Sequence, residues 1–168
     1  MKILNISLLV FFSFFAISFA NAQEKPQSPP EIATGKINGA TIQINYGSPS
    51  VRGRKIWGEL VPFDKVWRAG ANDATTFETD KDLTIEGSKL PAGKYSFFII
   101  PNKEKSIIIF NKETKQWGAY KYNEKEDQLR VTVKQKVAES STEKLVYKIN
   151  PNDVVLSWET WNIGFNVK

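Results

Sequence analysis

Trp161-Asn162-Ile163-Gly164-Phe165-Asn166-Val167-Lys168 carries an apolar residue on every second position. A period of two marks a strand with one face in a core and the other in water. The alternation recurs upstream. Leu129, Val131 and Val133 oppose Arg130, Thr132 and Lys134; Leu145, Tyr147 and Ile149 form the next apolar side, followed by Val154, Leu156 and Trp158. Further back, Thr41 to Tyr46 puts Ile42, Ile44 and Tyr46 on one face before Gly47 and Pro49 stop the run. Ala74 to Thr79 and Leu83 to Ile85 read as short strands, with turns at Glu86-Gly87-Ser88 and Leu90-Pro91-Ala92-Gly93. No segment holds a helical period beyond a turn or two. The expected fold is all-β: a single antiparallel β-sandwich, with jelly-roll winding as one form of it. A closed barrel is the runner-up, because it gives the same local pattern.

Two segments depart from clean alternation. From Lys94 to Ile100, Tyr95, Phe97 and Ile99 lie on one side and Phe98 and Ile100 on the other; Ile107 to Phe110 is similarly two-faced. These read as central strands whose second face needs a cover, whether helix, long loop or partner. A flat patch fed by Phe98 or Ile108 would favour a partner or a homodimer. Trp158 and Trp161 cannot share one face of a regular strand, so one is expected in the core and the other beyond a bend.

The first 22 residues read as a signal peptide: Lys2, an apolar run to Ala20, then Ala20-Asn21-Ala22, with cleavage expected before Gln23. Residues 23–30 read as a flexible leader and 31–168 as one all-β domain. The expected location is periplasmic or extracellular. No cysteine follows the signal to take a lipid, and no second apolar run is long enough to span a bilayer. The net charge is +5, and Lys2 is the only charged residue of the signal, so processing removes one unit. Lysines alternate with glutamates, as in Lys103-Glu104-Lys105, which argues against a nucleic-acid partner. The sequence has neither cysteine nor histidine. Stability must therefore come from core burial, and histidine-based triads and histidine metal sites are excluded.

Residues 48–74 break the strand pattern and concentrate arginine, tryptophan, glycine and proline. They imply a long ordered excursion, with a helical turn expected from Pro62. Two readings compete. In one, Trp57, Trp67, Trp117 and Tyr120, with Tyr122, offer flat platforms to a glycan. Arg52, Arg54, Arg68, Asn72 and Gln116 then supply directional contacts or grip an acidic small ligand. In the other, the tryptophans cap the sandwich, the arginines bond to loop carbonyls, and the module is structural or docks an envelope protein. The alternative function is a carboxylate-based glycoside hydrolase drawing on Glu59, Asp64, Asp73 and Glu159. Ser48 and Ser50 lack the histidine a serine nucleophile needs. Asp80-Lys81-Asp82 and Asn150-Pro151-Asn152-Asp153 are oxygen-rich turns of ordinary hairpin type, so neither metal nor cofactor is expected.

The chain also resembles the bacterial domain-of-unknown-function family numbered 2911. The resemblance runs through Tyr46 to Gly58, Leu60-Val61-Pro62, Lys65 to Asn72, Leu90 to Ser96, Ile109 to Lys112, Gln116 to Tyr120 and Leu129-Arg130-Val131. It implies an exported product of Bacteroidetes-type bacteria and hands over no catalytic residue. The chain departs from the family pattern at Glu59 and Asp64, where smaller residues are usual.

Overall fold

The period-two segments become strands throughout. The computed structural model describes residues 27–168; the segment 1–22 expected as a signal peptide and residues 23–26 of the expected leader lie outside them. Ten strands follow in order: β1 (Pro30–Ile37), β2 (Ala40–Gly47), β3 (Ala71–Thr79), β4 (Leu83–Ile85), β5 (Ser88–Leu90), β6 (Gly93–Ile100), β7 (Ser106–Asn111), β8 (Asp127–Val133), β9 (Lys136–Ile149) and β10 (Asp153–Asn166). A single 3₁₀ turn at Glu124–Glu126 precedes β8. Among the described residues no helix is long and apolar enough to cross a membrane.

Six strands form one antiparallel sheet in the order β1-β2-β3-β6-β7-β8, while β9 pairs with β10 and β4 with β5. The large sheet is a meander interrupted only by the β4–β5 hairpin. It is not a closed barrel and, among the described residues, lacks the Greek-key crossing of a jelly roll. The β9–β10 hairpin packs across its inner face, completing an all-β sandwich. Phe77, Phe97 and Phe110 of the sheet meet Phe165 of β10 at 6.3, 5.8 and 6.0 Å between ring centroids. All four rings are buried, and each contributes about 1.5–3 kcal/mol by leaving water.

The two apolar runs expected as separate strands near the C-terminus are one continuous β10. Inward residues are even-numbered through Trp158 and odd-numbered from Trp161. The switch falls at Glu159, whose φ of 52° breaks the alternation, and the register against β9 shifts on both sides of it. Trp158 and Trp161 therefore both turn inward, rather than one being carried away beyond a bend.

The second face of β6 and β7 is covered by chain. Phe98, Ile109 and Ala74 form a small outer core under Ala119 and Tyr122 of the flap, residues 112–123, and Val66 of the excursion. Both ends of this flap tie to Asn111. Its Nδ2 donates to Asn123 O at 2.9 Å, and its Oδ1 accepts from Glu113 N at 3.0 Å.

The excursion leaves at Gly47 and returns at Gly70, because the backbones touch there. A Cβ at Gly47 would sit 2.3 Å from Ala71 O, and one at Gly70 would sit 3.0 Å from Gly47 O. The last residues of the expected loop, Ala71–Ala74, already belong to β3. No helical turn follows Pro62. Asp64 is left-handed at φ 60°, and Trp67 extends to exchange backbone hydrogen bonds with Ile99 at 2.8 and 2.9 Å. The Tyr147 hydroxyl donates to Ala69 O at 2.7 Å and pins the return from the hairpin side.

Burial raises the ionisation of Tyr147 well above the ordinary tyrosine value, and raises Tyr46, Tyr95 and Tyr122 as well. The unfolded chain releases these protons first, so their contribution to stability is complete below about pH 10 and is lost as pH rises through the folded values. Urea midpoints measured between pH 8 and 12 should stay flat to about pH 10 and then fall. In Tyr147→Phe the fall should be shallower.

Candidate functional site

Block 48–70 sends its large side chains inward. Trp57 stacks on Trp161 at 4.5 Å and 11°, and meets Trp67 and Trp158 edge-on at 5.7 and 6.1 Å. Trp67 stacks on Trp158 at 5.8 Å and donates its indole N–H to Gly70 O at 3.2 Å. Phe63 closes the cluster against Trp161. Trp57 and Trp158 bury their indole nitrogens without a hydrogen-bond partner, a cost of about 1–3 kcal/mol each that ring packing must offset. Two of the block's three arginines bond to backbone carbonyls. Arg54 donates to Val51 O and Ser50 O at 3.0 and 2.6 Å, and Arg52 to Gln27 O at 3.3 Å. Ser48 is buried and donates its hydroxyl to Leu145 O at 2.7 Å. In this block the cap reading describes Arg52, Arg54, Trp57 and Trp67.

Asn72, Gln116 and Trp117 stand elsewhere, around a groove of about 880 Å³ on the outer face of β1–β3. Its floor is one cross-strand row. Ile32 pairs with Asn45, Asn45 with Thr76, and Thr76 with Ser96, which passes beneath the flap. Asn45 Nδ2 donates to Thr76 Oγ1 at 3.3 Å. The flap forms one wall by bonding to the start of β3: Ala74 N donates to Gln116 O at 3.1 Å, and Gly118 N to Asn72 O at 3.2 Å. Trp117, 58% exposed, stands on this wall. Asn72, left-handed at φ 64°, donates from its amide to Ser28 O at 3.1 Å and holds the opposite rim.

Gln116 is buried, with Nε2 bonded to Glu113 O at 3.0 Å but Oε1 unpartnered; the buried Ser96 hydroxyl is unpartnered too. Polar capacity therefore remains unused around the flap. Ile32, Asn45 and Thr76 were not anticipated from sequence. Their signal is the wet side of strands whose other side, Ile42, Ile44 and Phe77, advertises the core.

Arg68 and Tyr120 lie past the groove, at the flap tip. Arg68 Nη1 sits 3.5 Å from where a Cβ on Gly118 would be, and Tyr120 is 85% exposed.

The carboxylates named for hydrolysis are scattered. Glu59 pairs with Lys55 at 2.9 Å, Asp64 accepts from Asn102 at 2.7 Å, and Glu159 accepts from Thr160 at 2.6 Å. Asp73 alone reaches the groove, which it shares with Glu31. The oxygen-rich turns spend their oxygens locally. Asp80 accepts from Thr41 N at 2.7 Å, a bond that lowers its ionisation; Asp82 is lowered by Lys89, 2.7 Å away. Asp153 takes the Asn150 amide at 2.5 Å.

Cap and wall separate in stability. Trp57→Ala should cost about 3–5 kcal/mol in urea unfolding by emptying the aromatic cluster. Trp117→Ala should stay within about 0.5 kcal/mol of the parent.

No curated protein and no solved structure matches the chain. A family described as "Protein of unknown function (DUF2911)" matches residues 28–167, nearly the whole of the described sandwich including its cap, flap and groove. The chain belongs to the DUF2911 family.

Proposed function

We propose that the protein is an exported, non-catalytic ligand-binding module of the bacterial envelope whose groove takes a stretch of glycan. One observation carries this reading: Trp117 is the one tryptophan of five left largely exposed, and it stands on the wall of a groove lined with amides. An indole face offers an apolar platform to a sugar ring, while Asn45 and Asn72, each with one amide hydrogen committed to the protein, keep a second donor for hydroxyl groups. Glu31, Asp73, Lys94 and Lys115 also line the groove, so it carries both signs of charge without a dominant one. The non-catalytic side of the reading rests on the spent side chains: Ser48 bonds to backbone, and Glu59, Asp64 and Glu159 bond to neighbours outside the groove. The envelope assignment rests on the signal pattern of residues 1–22.

Two measurements test this. Titration of the processed protein with soluble envelope oligosaccharides, read by calorimetry and thermal shift, should give saturable binding. Trp117→Ala should weaken that binding at least about tenfold, the loss of one stacking platform, at an unchanged melting temperature. Binding unaffected by Trp117→Ala would rule the groove out. Separately, cell fractionation should find the intact chain's product outside the cytoplasm and a chain lacking residues 1–22 inside it.

A further inference from the structure

The chain has four arginines, and three of them are matched to acceptors. Arg52 and Arg54 bond to loop carbonyls, and Arg130 pairs with Glu124 and Asp127. Arg68 is different. It is partly buried, its Nε is enclosed without a partner, and its guanidinium makes no ion pair or hydrogen bond among the described residues. A guanidinium Nε–H drawn out of water without an acceptor is costly, so its position calls for a physical reason.

The surroundings of Arg68 supply one. With Nε enclosed, the side edge of the fork is closed and the end edge, Nη1 with Nη2, remains for a bidentate partner. Nη1 lies against Gly118, which is left-handed at φ 60°, and any side chain there would be both strained and 3.5 Å from the guanidinium. Glycine permits that backbone conformation, and the Tyr120 ring packs beside the same position, 3.3 Å from where a Cβ would be. Gly118 is flanked by Trp117 and, two residues on, by Tyr120, the flap's two exposed rings. A cation with a free fork beside an exposed aromatic ring, that of Tyr120, suits a sugar acid: the sugar ring lies on the aromatic face and its carboxylate meets the fork.

We infer that Arg68, with Tyr120 and the glycine at 118, forms a second, carboxylate-selective subsite at the flap tip that takes an acidic sugar. It lies beyond the groove, whose lining stops at Trp117, and it does not require the groove to be a glycan site.

The test uses processed protein and three probes: glucuronic acid, glucose and inorganic phosphate. Binding is read by calorimetry and by the amide resonance of Gly118. Glucuronic acid should bind at least about tenfold more tightly than glucose, the worth of a charge-assisted pair, and should shift the Gly118 resonance. Arg68→Lys, which keeps charge but loses the fork, should weaken it about tenfold with glucose unaffected. Tyr120→Ala, a change at an exposed position, should also weaken it without altering the melting temperature, and it serves if the Arg68 variant does not fold. Equal affinity for glucuronic acid and glucose would overturn the inference, as would an unmoved Gly118 resonance. Phosphate binding as tightly as glucuronic acid would also overturn it, by showing a site for any anion. Loss of groove binding in Trp117→Ala with glucuronic acid still shifting Gly118 would separate the two sites.

Discussion

The outer layer of the protein depends on how Tyr122 is held. Its hydroxyl donates to Asp127 at 2.5 Å while its ring meets Phe98 edge-on at 5.2 Å, so one side chain both anchors the flap and seals the face it covers. Asp127 is committed further, accepting from Asn111 at 2.7 Å and pairing with Arg130 at 3.4 Å. A sheet with Phe98 and Ile109 on its second face cannot leave that face wet. Once the flap is drawn down for that purpose, Trp117, Gly118 and Tyr120 are placed at its rim. The exposed rings of the candidate sites are thus held out by the same segment that satisfies the core's demand for cover.

Much of this was legible in the residues. The alternation of Ile42, Ile44 and Tyr46, of Leu129 to Val133 and of Val154 to Val167 is local and survives folding unchanged. Even the shift of parity between Trp158 and Trp161 is written in the chain; only the means, a single left-handed residue at Glu159 inside one strand, needed coordinates. β1 was not legible, since its core face is made of Ala33, Gly35 and Ile37, of which only the last is a strong apolar signal, while Ile32 on its other face is exposed. The first half of β9, Lys136 to Lys144, is polar and largely exposed for a similar reason. Asn72-Asp73 looked like the end of a loop because those residue types favour turns, yet pairing with the flap makes them strand.

The sites were legible only in part. Whether Trp57 and Trp67 face solvent or core depends on Trp158 and Trp161, about ninety residues later, and no local pattern encodes that meeting. The groove draws on five separate stretches, near residues 28–32, 45–47, 71–76, 94 and 114–117, whose only common property is adjacency in the fold. Gln116 and Trp117 stood out from sequence by residue type. Asn45 and Thr76 did not, because polar residues opposite a core face are what any sandwich strand carries.

Four of the five tryptophans touch one another in a single cluster, and the fifth stands alone in solvent. The molecule thereby carries two optical reporters of different kind. Closely packed indoles couple electronically and give a near-ultraviolet dichroism that vanishes when the cluster comes apart. Trp117 emits as a solvated indole open to collisional quenchers. Light absorbed at one wavelength can thus report separately on the integrity of the interior and on whatever comes to rest against the flap, with no label added.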